Sequence, residues 1–112
     1  MTLFERIAAR EIPARIVAET DEWLAIHDVN PQAPTHVLIV PKRAIPRLAH
    51  AAPEDAALLG RMLLAASEIA RTLGISDTGY RVVINNGADA GESVPHLHIH
   101  LLGGRALEWP PG

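Results

Sequence analysis

The chain from position 85 reads Asn85-Asn-Gly-Ala-Asp-Ala-Gly-Glu-Ser-Val-Pro-His-Leu-His-Ile-His-Leu-Leu-Gly-Gly-Arg105, and three of the six histidines fall inside it. His96, His98 and His100 alternate with Leu97, Ile99 and Leu101. A period of two is the mark of a strand buried on one face, so a strand is predicted over Val94 to Leu102, with one apolar face and one face of imidazole. Residues two apart on a strand face lie about 6.5 to 7 Å apart. The rings therefore form a row with His98 in the middle, fed by a polar, glycine-bearing loop from Asn85 to Ser93. That surface suits an anionic ligand.

Working outward, Tyr80 to Asn85 reads as the preceding strand, and the short loop favours an antiparallel hairpin. Earlier strands are predicted at Arg15 to Glu19, Trp23 to Asp28 and Thr35 to Val40, the last stopped by Pro41. The first two are joined as a hairpin through Thr20 to Glu22. Phe4, Ile7 and Ala8 recur at helical spacing, which predicts a short helix over Leu3 to Arg10. A long helix should start at Pro53, with Glu54 and Asp55 at the positive end of its dipole, and stop at Gly74. Its buried stripe is predicted as Leu58, Leu59, Met62, Leu63, Ala66, Ile69, Ala70 and Leu73. Ile45 to Ala52, with Pro46, reads as an irregular crossing. The class is α+β: one five-stranded, mostly antiparallel sheet, one long and one short helix, with helices on one face.

At 112 residues the chain fits one domain, residues 1–112, with a single core. A net charge of −3 gives no general attraction for nucleic acid, which disfavours a polynucleotide partner. There is no cysteine, so disulfides, thiol nucleophiles and zinc ribbons are excluded. No stretch has the length of a signal peptide core or a membrane span, so a cytoplasmic protein without a membrane partner is the expectation.

The histidine row admits three readings. It can be a solvated strand face, or core histidines satisfied by their neighbours. It can hold a metal, since two imidazoles of His-x-His can share an ion, but the outer pair of the three stand about 13 Å apart, too far to meet on one ion. Or His98 can be a nucleophile: neutral imidazole attacks phosphorus near pH 7, and water resolves the adduct. The loop agrees with an anion site, since Gly87 and Gly91 let backbone N–H groups face a phosphate and Ser93 adds a hydroxyl. His36 can stand beside the row if the third and fifth strands pair. Asp28, at a strand end, suits either a turn or ribose hydroxyls. His27 and His50 are read as surface positions without a role.

His96-Leu-His-Ile-His-Leu-Leu, set beside Gly91-Glu-Ser-Val, resembles the signature of the histidine-triad (HIT) family. Phe4-Glu-Arg-Ile, Ala25-Ile-His-Asp, Pro31-Gln-Ala-Pro-Thr-His, Val40-Pro-Lys, Leu101-Leu-Gly-Gly-Arg and Trp109-Pro-Pro-Gly are similar to the Hint branch of that family. The resemblance implies a homodimeric purine nucleoside phosphoramidase, its sheet extended across the dimer, acting on derivatives of purine nucleoside monophosphates of the AMP or GMP type without metal or other cofactor. It implies His98 as nucleophile, with His96, His100 and His36 around it. It also implies Asp28 on the ribose, Phe4, Ile7, Ile12 and Val29 around the base, and Asn85, Gly91 and Ser93 around the α-phosphate. The chain departs from the family pattern at Glu92, where glutamine is common, and at Ala90, where glycine is. A nucleotide-binding partner protein whose hydrolysis is incidental, or a metal-binding protein, are the alternative classes. The Trp-Pro-Pro-Gly ending argues against the branch acting on dinucleoside polyphosphates.

Overall fold

The computed structural model describes residues 1–112. Five strands, β1 (Ile16–Glu19), β2 (Trp23–His27), β3 (Thr35–Pro41), β4 (Tyr80–Val83) and β5 (Ile99–Gly103), form one antiparallel sheet in the order β1-β2-β3-β5-β4. Two helices accompany it, α1 (Leu3–Ala8) and α2 (Ala56–Thr72), with short 3-10 turns at Leu48–His50, Pro53–Asp55 and Ala88–Ala90. The class and strand count agree with the sequence reading.

Alternation along each strand sorts the side chains between two cores. Ala25, Val37, Ile39, Ile99 and Leu101 meet Leu58, Met62, Ala66, Ile69 and Ala70 of α2. Leu24, Ile26, Leu38 and Val40, which alternate with them, point the other way and meet Phe4 and Ile7 of α1. The helices thus lie on opposite faces, not on one. The reason is in β3: from His36 to Pro41 every residue is buried, so both faces of this strand need cover. Each fully buried leucine or isoleucine side chain contributes about 1.5 to 3 kcal/mol.

Both helices end in the same device. After α2, Gly74 at φ +78° donates to Arg71 O and Ile75 N–H donates to Ala70 O. After α1, Arg10 N–H donates to Ile7 O and Glu11 N–H to Arg6 O, with Arg10 at φ +64°. These are Schellman closures, which favour glycine at the left-handed position. Arg10 occupies it as a non-glycine, tied by its guanidinium to Glu19. That closure ends α1 at Ala8, two residues before the predicted Arg10. In α2, Leu63 is 47% exposed instead of buried, and Ala65 takes a place in the core stripe.

The fifth strand is shorter than predicted. Its ladder with β3 runs from Thr35↔Gly103 to Ile39↔Ile99 and stops there, so His96 and His98 precede the ladder. Pro41 has no N–H to offer, and Leu97 N–H turns instead to Ile45 O at 2.7 Å. The face assignment survives the loss of pairing: Leu97 remains in the α2 core, and His98 and His100 line a cavity on the α1 side.

Candidate functional site

On the α1 face a cavity of about 340 Å³ opens between α1, the ends of β2 and β3, and β5. Its apolar wall includes Leu3, Phe4, Ile7, Ile12, Ile26 and Leu38. Its polar wall is His27, Asp28, Ser93, His98 and His100. An apolar slot with a few converging polar groups at one end is the usual form of a small-molecule site.

Fixed backbone groups set the protons of the four histidines. His98 Nδ1 lies 2.7 Å from the carbonyl of His96, which can only accept, so Nδ1 carries the hydrogen. The lone pair of a neutral His98 is then on Nε2. His96 is wholly buried; its Nε2 donates to Pro41 O at 2.7 Å, leaving Nδ1 to accept from the Thr2 hydroxyl at 2.6 Å. Thr2 also caps α1, its hydroxyl accepting from Glu5 N–H while the Glu5 carboxylate takes Thr2 N–H. Phe4 meets the His96 ring edge to face at 5.5 Å and packs against His98 at 5.2 Å. One capping residue therefore joins the helix that walls the cavity to the first histidine of the row.

A second chain runs through His36 and His100. The Gln32 backbone N–H donates to His36 Nδ1 at 3.0 Å, which places the His36 hydrogen on Nε2. That group donates to His100 Nδ1 at 2.8 Å, so the His100 hydrogen is on its own Nε2. His100 Nε2 is buried and has no partner. A buried donor without an acceptor is costly and rare, and here it belongs to a residue of the cavity wall. Burial pushes His36 and His96 below the ordinary imidazole range. It pushes His100 to about 4, helped by His98 and His36 and opposed by Asp28.

Asp28, His36 and His100 bring three potential ligand atoms within 4.8 Å of one another, the only such grouping in the fold. The hydrogen-bond chain speaks against an ion there. His36 Nε2 would have to ligate, yet it holds the hydrogen, and its 2.8 Å separation from His100 Nδ1 is below the roughly 3.3 Å between ligands of a tetrahedral zinc site.

Residues 9–107 match the HIT domain family. The chain belongs to that family. An uncharacterized HIT-like protein of Synechocystis is 60% identical over 99% of this chain and 96% of its own length. The solved structure of a HIT family hydrolase from Legionella pneumophila superposes with a TM-score of 0.98 at 46% identity, covering all of both chains. A HIT family hydrolase from Clostridium thermocellum gives 0.93 at 42% identity, over 96% of this chain and 93% of that one.

Set on this HIT fold, the site residues expected from sequence divide clearly. Phe4, Ile7, Ile12, Asp28, Val29, Ser93, His98 and His100 all border the cavity, Val29 at an exposed rim. His36 and His96 stand behind it, each one hydrogen bond from a wall or from the helix that carries the wall. Asn85 and Gly91 are not part of its lining; they lie in the β4–β5 connection that leads to Ser93. His27, read from sequence as a surface position, is part of the wall. Glu92, the departure that put a negative charge beside the loop, is turned to Arg47, and that ion pair together with Gly87 N–H holds its carboxyl at about 2. Thr2, Gln32, Pro41 and Arg47 have no site role in the sequence reading. Three of them act through backbone groups or a cap, which carry no residue-type signal, though Thr2 followed three residues later by Glu5 is a readable capping pattern.

Proposed function

We propose that this HIT protein is a hydrolase of purine nucleoside 5′-phosphoramidates, and of aminoacyl adenylates, working through a nucleotidyl adduct on His98. The observation that carries the reading is the pairing of opposite groups on one wall: a lone pair at His98 Nε2 and an unpartnered N–H at His100 Nε2, with ring centroids 5.0 Å apart. A phosphoryl group offers an electrophilic phosphorus to the first and an oxygen to the second. The apolar wall suits a purine base, and Asp28, at the end of β2, suits the ribose hydroxyls. Likeness to HIT family hydrolases supports the reaction class.

In the first step the His98 Nε2 pair bonds to phosphorus as the P–N bond breaks. The departing nitrogen takes a proton from Ser93, the one hydroxyl of the lining, and Ser93 recovers it from water. The imidazolium so formed keeps its Nδ1–H on the His96 carbonyl, and His100 Nε2–H donates to a phosphoryl oxygen as charge builds there. Water then attacks phosphorus, the bond to Nε2 breaks, and the monophosphate leaves while one proton returns to solvent. Asn85 and Gly91 are assigned to the α-phosphate from the family resemblance alone.

The reading extends to a cytoplasmic homodimer of one-domain subunits, in which the sheet continues across β4. No helix is long and apolar enough to cross a membrane. The outer strand β4 offers a free edge bearing Tyr80 and Val82, both over one third exposed. The opposite edge, β1, is blunted by a bulge between Ile16 and Ala18 and by the Arg10–Glu19–Lys42 cluster.

The test is turnover of a panel of adenosine and guanosine 5′-phosphoramidates. Wild type should release amine and monophosphate with or without chelator, whereas His98→Ala should lose turnover and still bind monophosphate. Turnover retained in His98→Ala, a quenched adduct on another side chain, or activity lost to the chelator would each refute it.

A further inference from the structure

The connection from β4 to β5 is gripped from outside by the segment that follows β3. Arg47 donates from Nε to Glu92 Oε1 and from Nη2 to Glu92 Oε2, each at 3.0 Å. Glu92 Oε1 also accepts Gly87 N–H at 3.0 Å, and the Glu92 backbone N–H donates to Gly87 O at 3.1 Å. Glu92 thus closes the turn on itself, and Arg47 fixes Glu92. A second tie runs alongside, from Ala49 N–H to the Asn86 side chain at 2.8 Å. The residue after Glu92 is Ser93, part of the cavity wall.

The pair is no ordinary surface bridge. Its side chains are only 27% and 12% exposed, the contact is a two-pronged fork, and Glu92 and His98 lie within Coulombic reach of each other. A carboxylate here without its guanidinium would stay ionised and be poorly screened, one residue from the wall where an anion is to sit.

Resting on the nucleotide reading above, we propose that Arg47 is a positioning residue for the phosphate end of the cavity. It holds the Glu92 carboxylate against Gly87 and cancels its charge, sparing the ligand's phosphate a repulsive neighbour. Arg47 itself touches no ligand in this account.

The experiment is calorimetric binding of adenosine 5′-monophosphate and of uncharged adenosine to wild type, Arg47→Met, Arg47→Lys and the double variant Arg47→Met/Glu92→Gln. Arg47→Met should weaken the monophosphate about fivefold or more, the effect of one partly screened unit charge, and less so at high salt. Adenosine should bind as before, and the double variant should recover most of the monophosphate affinity. Arg47→Lys keeps the charge, though not the fork, and should recover most of the monophosphate affinity that Arg47→Met loses. Equal losses for both ligands would show a loosened wall instead of an unmasked charge and overturn the proposal. So would a double variant as weak as Arg47→Met, or a lysine variant as weak as the methionine one. Wild type that binds neither ligand would overturn the nucleotide reading and this proposal together; the other failures overturn this proposal alone.

Discussion

Replacing Thr2 by valine keeps the shape of the side chain and removes one hydroxyl, which in this fold has two tasks. It accepts Glu5 N–H as the cap of α1, and it donates to Nδ1 of the wholly buried His96. Loss of an N-cap costs about 1 kcal/mol. Leaving a buried acceptor without a donor costs about 1 to 3 kcal/mol more. His96 has no exposed surface, so bulk water does not reach the acceptor in the fold as it stands. The sum is about 2 to 4 kcal/mol, or roughly 8 to 16 °C in Tm for a domain of this size. Urea and thermal denaturation of Thr2→Val and Thr2→Ser measure it. Serine restores the hydroxyl and should lie within about 0.5 kcal/mol of wild type, as conservative changes at a cap do. A valine variant that loses less than about 1 kcal/mol, or a serine variant that falls as far as valine, would refute the link between the helix cap and the first histidine.

Stability should also fall on mild acidification. His36, His96 and His100 all have folded pKa values below the ordinary 6.5, His100 at about 4, so the unfolded chain takes up protons first. Their contribution is complete above pH 6.5 and is lost as the pH falls through that value towards 4; a Tm that stays level over this range contradicts the assignment of neutral, buried rings. Gly104→Ala should cost about 2 kcal/mol or more in a denaturant titration, because Gly104 sits at φ +93° and an added Cβ would stand 2.9 Å from Pro34 Cβ. A neutral result there would mean that the segment after β5 and the loop leading to His36 are not packed as described.

How far the sequence could be read depended on whether side-chain type or backbone geometry carried the information. The alternation at 96–101 placed leucine and isoleucine toward the long helix and His98 and His100 toward the cavity, because burial acts on residue type. It could not show that the ladder ends at Ile99, since that follows from Pro41 lacking an N–H and Leu97 finding Ile45. His36 was legible as a neighbour of the row once β3 and β5 pair, and it reaches His100 on the diagonal of that register. Its tautomer was not, because a backbone amide sets it. The sequence reading puts both helices on one face because amphipathic helix patterns do not say which side of a sheet they cover. The continuous burial of β3 was the signal that both sides needed one. Arg47 and Glu92 stand 45 positions apart, and nothing local in either segment announces their pairing.

The two layers flanking the sheet are unequal: the core on the α2 side holds thirteen buried side chains, that on the α1 side six. Detaching the short helix exposes far less apolar surface than global unfolding does, so it is the cheaper excursion and can occur while strands and long helix stay folded. Phe4 and Ile7 would swing out with it, opening the apolar wall of the cavity. His100 stays with β5, so the cover of the cavity hangs on six residues of chain closed by a left-handed arginine.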